Sequence, residues 1–245
     1  MRRRLRDEGD TGLVGTPSAP LARTLPGVAQ GWAAGLFVFR PAGHTGKDVL
    51  CRWPVPVIEL LPAASHRRER WKNGGGWTRE ILRHPASGDW NWRVSVAEVG
   101  SDGPFSPFPG CEREIVLLAG QGMHLDVEDG ATHRLAPPHG RLRFAGERAV
   151  SARLIEGPTV DFNLIWKRDA VEAQLLHRPI VGSMLFFGEP SVTWVLYVLA
   201  GQVRTPAGLL EAGDAARLVI APGERLALDG GGELLIAKLC ERPPV

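Results

Sequence analysis

The stretch Trp71-Lys72-Asn73-Gly74-Gly75-Gly76-Trp77-Thr78-Arg79-Glu80-Ile81 sets an ammonium, an amide, a hydroxyl, a guanidinium and a carboxylate around three consecutive glycines. A glycine run packs no side chain and loses much backbone entropy on folding. It belongs where the backbone turns sharply or comes close to another group. Lys72, Arg79 and Arg93 can bind a carboxylate, the two arginines in bidentate fashion. Asn73, Thr78, Ser95 and Asn163 offer neutral hydrogen bonds, and Glu80, Glu98 and Asp161 can accept an amine or amide. The same charges could instead pair among themselves, because buried cations in a β-barrel need partners. Two readings therefore stand: a pocket for a small acid, and an internal ion-pair network.

Other chemistry finds less support. Seven histidines (His44, His66, His84, His124, His133, His139, His177) include no His-x-His pair. His133 and His139 flank Pro137-Pro138 at a spacing that suits turns better than a shared strand face, so a facial triad with Glu147 is not expected. No metal and no cofactor are expected. Ser95 and Ser106 lie in no nucleophile elbow. Lys72 precedes the glycines rather than following them, unlike the lysine of a phosphate loop. Three cysteines, far apart and without a CxxC spacing, argue for a reduced compartment and against a disulfide framework.

The elements that must position these residues are strands. From Val57 onward, short runs rich in Val, Ile, Leu, Phe and Trp alternate with turn residues. In Asn91–Ala97, Trp92, Val94 and Val96 share one face and Arg93 and Ser95 the other. In Thr159–Leu164, Val160, Phe162 and Leu164 oppose Asp161 and Asn163. Val116-Leu117-Leu118-Ala119-Gly120-Gln121 recurs as Tyr197-Val198-Leu199-Ala200-Gly201-Gln202. Arg141-Leu142 with Gly146-Glu147-Arg148 recurs as Arg217-Leu218 with Gly223-Glu224-Arg225. Two echoes in the same order predict a duplicated antiparallel unit, and closure into barrels removes exposed strand edges.

Residues 1–56 read differently. They hold eight basic and four acidic side chains, against 21 and 23 in the rest, and scatter prolines without period. A disordered extension, or sequence upstream of the true start at Val55 or Val57, is expected there. The slightly acidic remainder argues against nucleic acid, and no apolar run reaches membrane-spanning length.

The glycine stretch, Trp92–Val99, Asp102-Gly103-Pro104-Phe105-Ser106, Phe108-Pro109-Gly110 and Gly157–Asn163 together resemble the HutD/Ves family of bicupins. The resemblance covers residues 57 to about 240. It implies an all-β bicupin of two tandem jelly-roll-like barrels, 57–168 and 169–245, in a cytoplasmic protein associated with histidine utilisation. It also implies a small carboxylated metabolite as partner, with formylglutamate-like acids as candidates, and supplies no established reaction. The expected ligand-binding set is Lys72, Asn73, Thr78, Arg79, Glu80, Arg93, Ser95, Glu98, Phe105, Ser106, Asp161 and Asn163. A homodimer is compatible with this reading. A non-catalytic binding protein is the first expectation. A metal-independent isomerase or lyase, with Glu80 or Glu98 as general base, is the second.

Overall fold

A computed structural model of the chain describes residues 56–243, with the backbone of Leu36–Phe39 and Val49–Arg52. Those two short segments, β1 (Leu36–Phe39) and β2 (Val49–Arg52), pair antiparallel within the stretch expected to be disordered. The rest of that expectation lies outside the described residues. β3 (Val57–Leu61) follows, then a single 3-10 turn at Ala63–Ser65. Next come β4 (Arg67–Arg70), β5 (Gly76–His84), β6 (Trp92–Val99), β7 (Gly103–Pro104), β8 (Cys111–Ala119) and β9 (Met123–Val127). β10 (Thr132–Leu135), β11 (Arg141–Ala145), β12 (Val150–Leu154) and β13 (Thr159–Lys167) complete a first half. The second half is built of β14 (Val171–Phe187), β15 (Val192–Thr205), β16 (Gly208–Glu211), β17 (Ala215–Val219) and β18 (Arg225–Glu241).

Every ladder is antiparallel, as the alternating pattern predicts, and the protein is all-β. In the first half a six-stranded sheet, β11-β8-β13-β6-β5-β4, is accompanied by a four-stranded one, β10-β9-β12-β7. The second half is a single sheet, β14-β18-β15-β17-β3, with β16 on β15. The opening strand β3 therefore pairs with β17 of the second half, not with the strands that follow it in sequence.

The two halves share one pairing scheme. β8 lies between β11 and β13, as β15 lies between β17 and β18. The ladder skips one residue after Leu117 in β8 and after Val198 in β15, the same place in both sequence echoes. Where the first half starts new strands, the long strands of the second run on and fold over. Gly201 and Gly232 have φ of 81° and 149°, and a side chain on either would collide with a backbone carbonyl of the facing strand. Glycine alone permits that approach.

Three apolar clusters follow. One lies inside the second half, built on Leu196, Leu218, Leu228, Leu234 and Ile236. A second lies within the first half, around Ile115, Leu125 and Phe144. The third joins the halves: Trp92, Val94, Val96, Phe162, Leu164 and Trp166 pack on Leu175, Val195, Leu235 and Leu239. The six-stranded sheet is thus covered on both faces, and its polar row points into the first half. Among the described residues no helix is long and apolar enough to cross a membrane.

Candidate functional site

The glycine stretch forms the hairpin between β4 and β5. The Gly74 amide donates to the Trp71 carbonyl (3.0 Å), and the Trp71 amide to Gly76 (3.0 Å). Gly76 lies against the Trp71 ring and the Glu98 carbonyl, where a β-carbon would collide with the carbonyl and crowd the ring. The Trp71 indole then donates to Thr78 Oγ1 at 2.8 Å. Asn73 caps the loop, its Oδ1 accepting from the Gly75 amide at 3.0 Å. The glycines thus let the Trp71 ring pack against Gly76 at the start of β5, with Lys72 and Asn73 in the connecting loop.

Behind that hairpin is a cavity of about 670 Å³, within the size range of small-molecule sites. Lys72, Asn73, Thr78, Arg93, Ser95, Phe105, Ser106 and Asn163 line it, eight of the twelve residues expected from sequence. Register explains the convergence: Ser95 on β6 faces Asn163 on β13, which in turn faces Ile115 on β8. Four cationic side chains, Arg70, Lys72, Arg93 and Arg113, line the cavity against one carboxylate, Glu69.

The remaining four expected residues lie elsewhere. Arg79 and Glu98 stand on the opposite face of the sheet, where Arg79 Nε lies 3.3 Å from Glu98 Oε1 and Arg68 Nη2 donates to Glu98 Oε2 at 2.7 Å. The ion-pair reading holds for them. Glu80 shares the inner face but is held by Arg93 Nε at 2.7 Å, with Arg83 Nε at 3.6 Å. Asp161 is buried beneath the lining, 1% exposed. Burial raises its carboxyl to about 7, opposed by the attraction of Arg113.

Sequence reasoning missed Arg113. It is buried, 8% exposed, and lines the cavity. Its Nε and Nη2 donate to Asn163 Oδ1 at 3.0 and 2.6 Å, and its guanidinium lies 4.6 Å from the Phe105 ring centroid. Among the described residues no carboxylate forms a salt bridge with it. Burial lowers its pKa to about 10, with Asp161 acting against that fall and Arg93 adding to it. Flanked by glutamates in Glu112-Arg113-Glu114, it reads as part of a solvated charge run. Alternation within Cys111–Ala119, which puts Arg113 on the face of Ile115 and Leu117, was the available signal.

A second constellation was also not legible. His139, from the turn before β11, meets His177 on β14 and Glu233 on β18, with potential ligand atoms all within 4.8 Å of one another. Neither His133 nor Glu147 takes part.

Comparison with known proteins agrees with this architecture. The family model described as HutD matches residues 63–236. A 21.2 kDa protein of the hutC 3′ region in Pseudomonas putida is 42% identical over 120 residues, which span 48% of this chain and 63% of that protein. Protein Ves of Cronobacter sakazakii is 36% identical over 166 residues, 64% of this chain and 89% of that one. The structure of HutD from Pseudomonas fluorescens SBW25, in a formate condition, superposes with a TM-score of 0.68 at 33% identity, covering 76% of this chain and all of that one.

Proposed function

The chain belongs to the HutD family, and from that premise we propose that it binds a small carboxylated metabolite in the first-half cavity without transforming it. One observation carries this reading. Arg113 is a buried guanidinium facing the cavity, bonded to a neutral amide and lacking a carboxylate salt bridge among the described residues. A buried charge held this way is costly unless an opposite charge arrives. A ligand carboxylate between Arg113 and Arg93 would supply that charge and relieve the repulsion between the two guanidiniums. Ser95 and the edge of Asn163 provide neutral contacts, and Phe105 and Trp71 the walls.

The hut names of the P. putida and P. fluorescens relatives support an acid of histidine breakdown, such as formylglutamate, urocanate, glutamate or formate. A cytoplasmic location accords with such a ligand. The enzymatic alternative has less support. Glu98 faces away from the cavity, and Glu80 is held in ion pairs by Arg93 and Arg83 and does not line it. Calorimetric titration with these four acids, each mixture then assayed for product, tests both readings. Saturable binding with the acid recovered unchanged supports a binding protein. Turnover overturns that reading in favour of the isomerase or lyase, and no binding of any acid removes the carboxylate assignment.

A further inference from the structure

We propose that His139, His177 and Glu233 hold a divalent transition-metal ion of the zinc class at the junction of the two halves. Histidine spacing predicts no metal, since no His-x-His pair exists and His133 and His139 with Glu147 make a poor triad. The three residues come together through tertiary structure. His177 on β14 pairs with Leu235, and Glu233 on β18 pairs with Pro179, so the two are diagonal neighbours on adjacent antiparallel strands. His139 reaches them from the other half, from a turn in which it takes a φ of 55°. For a non-glycine residue that conformation is uncommon, and it is one found at ligand-binding positions.

The three potential ligand atoms lie within 4.8 Å of one another, and the two histidine nitrogens would draw together on an ion held by Glu233. Glu233 Oε2 lies 2.9 Å from His177 Nε2 and 3.5 Å from His139 Nε2. Bonds of about 2.0–2.1 Å in a tetrahedral zinc site put neighbouring ligand atoms about 3.3 Å apart, a spacing these two distances bracket. His139 Nδ1 lies 3.1 Å from the Leu117 carbonyl oxygen. A carbonyl can only accept, so Nδ1 carries the proton, and in the neutral ring Nε2 presents a lone pair to the carboxylate. This is the backbone-carbonyl support that fixes the tautomer of metal-bound histidines. In that tautomer His139 Nε2 and Glu233 Oε2 are two electron-pair donors 3.5 Å apart, a pair that a seated cation would bridge.

The two imidazoles and one carboxylate leave coordination positions open, and imidazole suits zinc, nickel, copper and iron alike. The three side chains are 22%, 38% and 47% exposed, so an ion can enter from solvent. None of them lines the first-half cavity, and the site is independent of the carboxylate reading. Its ligands come from both halves, so the ion would act as a clamp between them.

Zn2+ is the probe for the test. Untagged full-length protein is stripped with chelator, dialysed against Zn2+ and analysed for metal, alongside H139A, H177A, E233Q and H133A. The expected result is one Zn2+ per chain for the wild type and for H133A, a higher Tm when Zn2+ is present, and affinity reduced at least about ten- to a hundredfold in the other three. Co2+ in place of Zn2+ should give visible absorption bands that E233Q lacks. Glu233→Gln keeps shape and exposure, so its loss of binding would not come from unfolding. The proposal is overturned if the wild type binds no Zn2+, which leaves a histidine–carboxylate hydrogen-bond cluster. It is equally overturned if all three variants bind Zn2+ as tightly as the wild type.

Discussion

Replacing Arg113 with methionine, a side chain of similar length without charge, separates a binding role from a structural one. A pKa lowered from 12.5 to about 10 corresponds, at about 1.4 kcal/mol per pH unit, to about 3 kcal/mol by which its surroundings, burial foremost and net of the attraction of Asp161, disfavour the charged guanidinium. Methionine removes that cost. It also strips Asn163 Oδ1 of both its donors, and a buried acceptor left unpaired costs about 1–3 kcal/mol. The two effects nearly cancel, so the variant should fold with a stability within about 2 kcal/mol of the wild type. Binding behaves differently. Losing a hydrogen bond to a charged group removes about 1.5–3 kcal/mol, which weakens affinity for a carboxylate about ten- to a hundredfold.

Two assays on the same preparation give the answer: urea denaturation for stability and calorimetric titration with formylglutamate for affinity. An Arg113 that served as half of a structural ion pair with Asp161 would behave in the opposite way. Breaking a buried pair costs about 3–5 kcal/mol, and ligand affinity would be spared in the fraction that folds. A variant destabilised to that degree, yet binding the acid as tightly as the wild type, would refute the reasoning.

Further outcomes follow from the same geometry. Arg93→Ala should weaken acid binding about tenfold or more, while Arg79→Ala, on the opposite face beside Glu98, should leave calorimetric affinity unchanged. Asp161 has a folded pKa of about 7, above its ordinary 3.8, so the native state binds a proton that the unfolded chain has released. Stability should therefore fall as pH rises from about 4 to about 7, by at most about 4 kcal/mol, and Asp161→Asn should flatten the profile in urea titrations. The carboxylate formed above pH 7 competes for Arg113, so acid affinity should be lower at pH 8 than at pH 6 in the wild type and nearly level in Asp161→Asn. Gly76→Ala, which drives a methyl group into the Glu98 carbonyl and the Trp71 ring, should cost about 1–3 kcal/mol of stability by denaturation.

The all-β class, the strand character of both sequence echoes and the facing of Trp92–Ala97 were legible because strand periodicity and turn chemistry are local properties. Six cavity residues were legible because they lie in or beside the glycine stretch and on the polar rows of two strands, and Phe105 and Ser106 because they end a segment that resembles the family's. Arg79 and Glu98 were assigned by proximity in sequence, and here that guide failed. Adjacent residues of a strand point to opposite faces, so Arg79 turns away from the side on which Thr78 opens to the cavity. The pairing of β3 with β17 and the meeting of His139, His177 and Glu233 depend on how distant strands return to one another. No spacing in the sequence encodes either.

The repeat shows why the cavity is better read as a binding site than as a packing fault. Extending the echo of Val116–Gln121 with Tyr197–Gln202 backward matches Arg113 with Trp194. The ladders continue the match: Asn163 faces Ile115 as Ile236 faces Leu196, and Ser95 faces Asn163 as Leu176 faces Ile236. The positions holding Arg113, Asn163 and Ser95 in one half thus hold Trp194, Ile236 and Leu176 in the other. There they pack on the apolar cluster that fills the second half. One scaffold therefore accepts either filling, and the apolar choice avoids the desolvation cost carried by a buried guanidinium. Retaining the polar set in the first half forgoes that stability. Groups that lower stability and converge on a cavity are characteristic of sites kept for function, and the shared pairing scheme leaves backbone geometry out as the reason they are there.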